Sequence, residues 1–245
     1  MRREGARRLD LFRLLSFGPD GWGDELLTGA FLTIRLALAT LPFGLALGLL
    51  IAVARRSSSF LPRALGNVYS TVFRGLPELL TIFIVYFGGQ ILLRRIATFV
   101  GVTGDFEVNG FFAGMIALGV VFSAYSSEVF LGAFRNIPAG QYEAAQSLGL
   151  KRFTTFRLVI WPQLVRLSLP GLANLWLALL KDTSLVSVIA INDLLRMTSL
   201  AVRVTKEPFF FFGIACLLYL AMSIVSSVGI SAIERWAGRG QRRTA

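Results

Sequence analysis

Apolar residues gather into five long runs, at residues 26–54, 69–93, 108–134, 166–191 and 208–233, and polar stretches separate them. Each run reaches the ~20 residues that a helix needs to cross the hydrocarbon core of a bilayer. The pattern predicts an all-α fold, an integral membrane bundle of five transmembrane helices. Detail within the runs adds to this. Pro42 predicts a kink in the first, where Gly44 and Gly48 form a small-xxx-small face suited to close helix contact. The second contains Phe73-Arg74-Gly75-Leu76-Pro77-Glu78, so Pro77 is expected to loosen the span around the carbonyl of Phe73, with Glu78 beside the break. The fourth is interrupted by Pro170 and again by Lys181-Asp182. Such a break is tolerated at membrane depth only where it faces protein or a wet cavity.

Composition agrees with the pattern: 55% of the 245 residues are hydrophobic. The chain has no histidine, which removes imidazole metal sites and Ser-His or Cys-His catalysis. Its single cysteine, Cys216, lies in the fifth run and reads as a small buried hydrophobe. No Gly-x-x-x-x-Gly-Lys-Ser/Thr loop occurs, so any ATP hydrolysis must come from another chain. The formal charge of +11 is spread over loops and termini, where it sets topology and meets anionic lipid rather than nucleic acid. Residues 1–24, rich in arginine around Leu9, Leu11, Phe12 and Leu14, read as an interfacial segment. The transmembrane domain then covers 25–236, and a basic tail follows at 237–245.

The longest polar interruption carries the most specific signal. Over residues 143–162 the chain reads EAAQSLGLKRFTTFRLVIWP, with Gly149 placed to take the positive φ that ends one short helix. A second stretch, residues 151–160, is expected to stop at Pro162. The product is an elbow at the membrane surface. Glu143, Ala144, Ala145 and Gly149, with the ending Val159-x-Trp161-Pro162, resemble the cytoplasmic EAA loop of the membrane subunits of bacterial ABC importers, within a loop region at 135–162.

The resemblance extends through Arg74-Gly75-x-Pro77, Ala124-Tyr125 with Glu128, Ile137-Pro138-x-Gly140-Gln141, Pro170-Gly171, residues 181–187 and Pro208-Phe209. Together these are similar to the permease subunits of polar amino acid importers. Pro77-Glu78-Leu79 and Asn174-Leu175-Trp176 look most like the histidine/lysine/arginine/ornithine and octopine/nopaline types. A departure is Leu131, where the family commonly has arginine.

The resemblance implies a type I importer permease for polar, cationic or opine-type amino acids. It is not an enzyme. It implies a second permease chain, a paralogue or a copy, a cytoplasmic ATPase dimer that holds ATP and Mg²⁺, and a periplasmic solute-binding protein; this chain itself needs no cofactor or metal. The bacterial inner membrane is the implied location, with the EAA-like loop and the C-terminus cytoplasmic. Loop charges agree with that orientation, although the arginines of the N-terminal tail nearly offset them. An alternative is a self-sufficient ion-coupled carrier using Glu78 and Asp182.

Charges inside the spans are the candidates for function, because each costs at least ~2.5 kcal/mol near a helix centre unless paired or wet. They are Arg35, Arg74, Glu78, Glu128, Lys181 and Asp182. Arg35 and Arg74 sit near span ends and can snorkel. Glu128 is expected to pair with Arg74. Lys181 and Asp182 lie at the interrupted helix, where transporters place solute sites, and pocket lining and internal pairing both remain open. Glu78 needs a cation, which could be Arg74, Lys181 or the solute. The solute path is thus assigned to Glu78, Tyr125, Glu128, Asn174, Lys181, Asp182 and Thr183. Coupling to the ATPase is assigned to Glu143, Ala144, Ala145, Gly149 and Pro162.

Overall fold

A computed structural model describes residues 13–19, 21–101, 109–189 and 191–237, and every regular element among them is helical. Of the interfacial segment expected at residues 1–24, residues 1–12 and 20 lie outside the described residues, as do residues 102–108 and the basic tail past residue 237. In chain order the helices are α1 (Gly23–Arg55), α2 (Phe60–Gly75), α3 (Glu78–Phe99), α4 (Gly110–Arg135), α5 (Ala139–Ser147), α6 (Arg152–Ile189), α7 (Leu194–Thr205) and α8 (Pro208–Ala237). Five of these, α1, α3, α4, α6 and α8, are long and apolar enough to cross a membrane.

Three boundaries differ from the expectation, each for a local reason. The second apolar run is two helices, not one. Proline disfavours the α region for the residue before it. Leu76 accordingly turns extended (φ −89°, ψ 146°), α2 ends, and Glu78 opens α3 after Pro77. The fourth run, conversely, is more continuous than its prolines suggested. Pro162 does not stop the elbow's second helix and Pro170 does not interrupt the span, because α6 stays helical through both prolines. A π-helical stretch at Phe156–Ile160 ends two residues before Pro162, with Trp161 N–H donating to the carbonyl of Phe156 five residues back. Only the break at Lys181-Asp182 persists, as a change to a 3₁₀ helix over Thr183–Ile189. Finally, the stretch through Arg196 and Arg203, expected to be a loop, is α7, capped by Asp193.

The chain divides into two units. One takes the residues up to Thr40 with Ile82–Leu118 and Leu179–Ile224. Its core joins Leu26 and Ala30 of α1, Leu194 and Ala201 of α7 and Phe211 of α8. Gly29 lets α7 approach α1, since a Cβ there would lie 3.0 Å from the carbonyl oxygen of Asp193. The other unit takes Leu41–Thr81, Gly119–Ala178 and the residues from Val225. Its core joins Ala52 of α1, Phe130 and Phe134 of α4, Ile137, and Ile160 and Leu164 of α6. Here the small face of α1 packs as its sequence suggests. A Cβ on Gly48 would meet Ser126 Oγ at 2.0 Å, and one on Gly44 would meet Phe122 at 2.5 Å. Cys216 departs from its expected burial and lies exposed on α8.

Candidate functional site

The elbow is built from backbone geometry first. After α5, Leu148 closes the helix and Gly149 takes φ +71°. Gly149 N–H donates to the carbonyl of Gln146 at 2.9 Å, and Leu150 N–H donates to that of Ala145 at 3.1 Å. This paired bonding satisfies carbonyls that a helix end leaves free. α6 starts at Arg152, two residues past Leu150. Gln163 fastens the elbow to the span, donating from Nε2 to Gln141 Oε1 at 3.3 Å and to the carbonyl of Val159 at 2.9 Å.

The predicted coupling residues take distinct places on this frame. Ala145 is buried, while Glu143 and Ala144 face outward. The methyl of Ala145 packs the elbow, and the other two are open to solvent. Leu148 and Phe153 flank them, 78% and 74% exposed. Pro162 is exposed and lies within α6.

A second constellation joins the ends of α1 and α2 to α4. Glu128 Oε1 lies 2.9 Å from Arg55 Nη1, is ion-paired with Arg74, and accepts from Ser70 Oγ at 3.1 Å. Arg55 is fixed in turn, its Nε donating to Asn67 Oδ1 at 2.9 Å and its Nη1 to Ser70 Oγ at 3.2 Å and Ser127 Oγ at 3.4 Å. The expected Glu128–Arg74 pair is present, and Arg74 also lies over the ring of Tyr125. Arg55, read from sequence as a topology charge, is instead the more buried partner, with its side chain 11% exposed against 41% for Arg74. Spacing could not show this, because the pair spans 73 residues of chain.

The other predicted path residues are not drawn into this cluster. Glu78 is half-buried in the first turn of α3, and no ion pair to it occurs among the described residues. Its position at a helix start suits a carboxylate. Asn174 and Lys181 are exposed, Asp182 is half-buried, and Thr183 is buried with Oγ1 donating to the carbonyl of Leu180 at 2.8 Å.

Sequence reasoning missed Asp193. Fully buried, it accepts from the backbone N–H of Leu195 at 3.3 Å and of Arg196 at 3.1 Å, while Leu194 N–H donates to Thr33 Oγ1 of α1 at 3.2 Å. Burial pushes its carboxyl up to about 6, against the cap bonds and Arg196, which lower it. The signal was present: an aspartate just before Leu194 and Leu195 is a helix-start pattern.

Against known proteins, residues 44–239 match the family described as binding-protein-dependent transport system inner membrane component. The chain is 44% identical to the nopaline transport system permease protein NocQ of Agrobacterium fabrum, over 94% of this chain and 98% of that one. With the histidine/lysine/arginine/ornithine transport system permease protein HisQ of Escherichia coli it shares 34% identity, over 91% of this chain and 97% of the other. Among solved structures it is similar to a chain of an amino acid ABC transporter with histidines, at TM-score 0.73 and 30% identity, covering 87% of this chain and 94% of that chain.

Proposed function

Because the chain belongs to the family of binding-protein-dependent transport system inner membrane components, the permease subunits of ABC importers, we propose that the solutes it passes are cationic or opine-type amino acids. As a member it is a multi-pass membrane protein and a transport subunit, with ATP hydrolysis carried by a separate ATPase. The alternative of a self-sufficient ion-coupled carrier is set aside by the same membership. The observation that carries the solute class is the 44% identity to a nopaline permease over nearly the full length of both chains.

In this reading the chain sits in a bacterial inner membrane, with the elbow and the C-terminus in the cytoplasm. It pairs with a second permease chain, a paralogue more readily than a copy. A periplasmic binding protein delivers solute, and a cytoplasmic ATPase dimer holds ATP and Mg²⁺. Glu143, Ala144 and the exposed face of α5 meet the ATPase, while Ala145 and Gly149 keep the elbow rigid enough to pass its closure into α6. Glu78, Tyr125, Asn174, Lys181, Asp182 and Thr183 belong to the solute path. Glu128 serves it indirectly, by holding Arg74. Glu78 supplies the preference for cations, since no cation of the described residues neutralises it.

The test is uptake into proteoliposomes by the full transporter, with arginine, nopaline and leucine as solutes. Arginine and nopaline should enter at least 10-fold faster than leucine, and Glu78→Gln should slow arginine roughly 10-fold while leaving neutral solutes nearly unchanged. Leucine uptake equal to that of arginine would overturn the solute class. An equal loss for every solute would make Glu78 a structural residue.

A further inference from the structure

The inner angle of the elbow holds a cavity of about 580 Å³ between α5 and the first two turns of α6. Its walls are Tyr142 and Gln146 from α5, then Lys151, Arg152, Thr155 and Phe156. No carboxylate lines it. Lys151 and Arg152 form no ion pair among the described residues. The hydroxyl of Tyr142 is buried and has no hydrogen-bond partner among them. An unpaired buried donor is rare and costly, and here its residue shares the cavity wall with two exposed cations. Ammonium and guanidinium groups donate only, and an anionic acceptor can take bonds from all three at once.

Where the cavity lies narrows the source of the anion. Arg157, Gln163 and Arg166 put polar side chains on the turns between the cavity and the apolar part of α6. The rise from Arg152 to Arg166 is roughly 20 Å, at ~1.5 Å per residue. That length separates the cavity from the apolar part of the span and leaves it where a water-soluble partner can approach. The exposed Leu148 and Phe153 on the same elbow add an apolar contact area of the kind that protein partners bury.

We propose that this cavity receives an acidic side chain of the ATPase subunit, its carboxylate bound by Lys151, Arg152 and the Tyr142 hydroxyl. The elbow is then a socket as well as a plug: α5 presents Glu143 and Ala144 outward and accepts a carboxylate from the same partner behind them. This rests on the assignment of the elbow to ATPase coupling. Closure of the ATPase would pull on the first turn of α6 through an ion pair as well as push on α5, so force would reach the span in both directions.

The experiment measures binding of the coexpressed ATPase to the complete permease pair in nanodiscs, with and without anionic lipid. Tyr142→Phe keeps the ring and should weaken binding several-fold. Lys151→Gln with Arg152→Gln should weaken it about 100-fold and flatten its dependence on salt. With Lys151→Glu and Arg152→Glu in place, one acid-to-lysine change on the ATPase surface should restore affinity. Gly149→Val serves as the control for the elbow itself, because it forces a branched residue to φ +71°. If Gly149→Val abolishes binding while the cavity variants bind as wild type, the socket is refuted and the coupling assignment stands. If Gly149→Val also binds normally, the coupling assignment fails. Losses seen only with anionic lipid present would make lipid the ligand and overturn the proposal.

Discussion

Glu128 and Asp193 are both carboxylates held by specific partners, Glu128 31% exposed in the unit built around α4 and the start of α6, Asp193 fully buried in the unit built around α7. Glu128 is kept by side chains. Two guanidinium groups and a hydroxyl converge on one of its oxygens, and they come from α1 and α2. Asp193 is kept by backbone, its two oxygens accepting from N–H groups at the start of its own helix. The difference is one of strength and of pH. A carboxylate between cations ties three helices together only while it is charged, whereas a buried helix cap is satisfied by a neutral acid or an amide as well as by an anion.

The largest effect should come from removing the charge that joins three helices. Glu128→Gln leaves the little-exposed Arg55 beside Arg74 with no anion between them. With Glu128 31% exposed and Arg55 11%, leaving the guanidinium without its carboxylate is expected to cost about 3 kcal/mol, seen as a lower unfolding midpoint in detergent. Adding Arg55→Gln should recover part of that loss, because the stranded charge is removed with its partner. A Glu128→Gln protein as stable as wild type would mean that the cluster does not hold α1 and α2 to α4.

Asp193→Asn should behave in the opposite way. The amide still caps α7, so at pH 4 the variant should match wild type closely. The folded-state carboxyl, at about 6, lies above its ordinary 3.8. The folded protein therefore binds more protons than the unfolded chain between those values, and wild type loses stability as pH rises from about 4 to 6. The shift corresponds to about 3 kcal/mol at most, reached above pH 6. Arg196 and Tyr219 are the charged and titratable groups that face Asp193. The advantage of Asp193→Asn over wild type should thus grow between pH 4 and 6 and level off above. Parallel pH profiles for the two proteins would show that Asp193 is charged in the fold throughout.

The smallest effect belongs to the exposed arm of the Glu128 cluster. With 41% of its side chain in contact with solvent, Arg74 is expected to contribute about 1 kcal/mol or less, so Arg74→Ala should move the unfolding midpoint far less than Arg55→Ala. Equal shifts for the two would mean that the arginines share Glu128 evenly despite their different burial.

Much of this protein is legible in its residues because the bilayer imposes a simple rule. About twenty apolar residues in a row make a span, so the five runs are legible from the pattern of apolar positions alone. The elbow was legible for a similar reason, since Gly149 meets a backbone need that few other residues satisfy and the paired bonds to Gln146 and Ala145 are local. Prolines were harder, because their effect depends on what the neighbouring turns can do. Pro77 breaks its run where Leu76 is free to extend, while Pro162 follows a π-helical stretch and Pro170 stays within the helix. Pairing at a distance was mostly hidden. Arg55 and Glu128 lie 73 positions apart, and Leu194 and Thr33 meet only because Gly29 lets α7 lie against α1. Hydropathy says which segments leave water; only the packed helices decide which charges and hydroxyls then face each other.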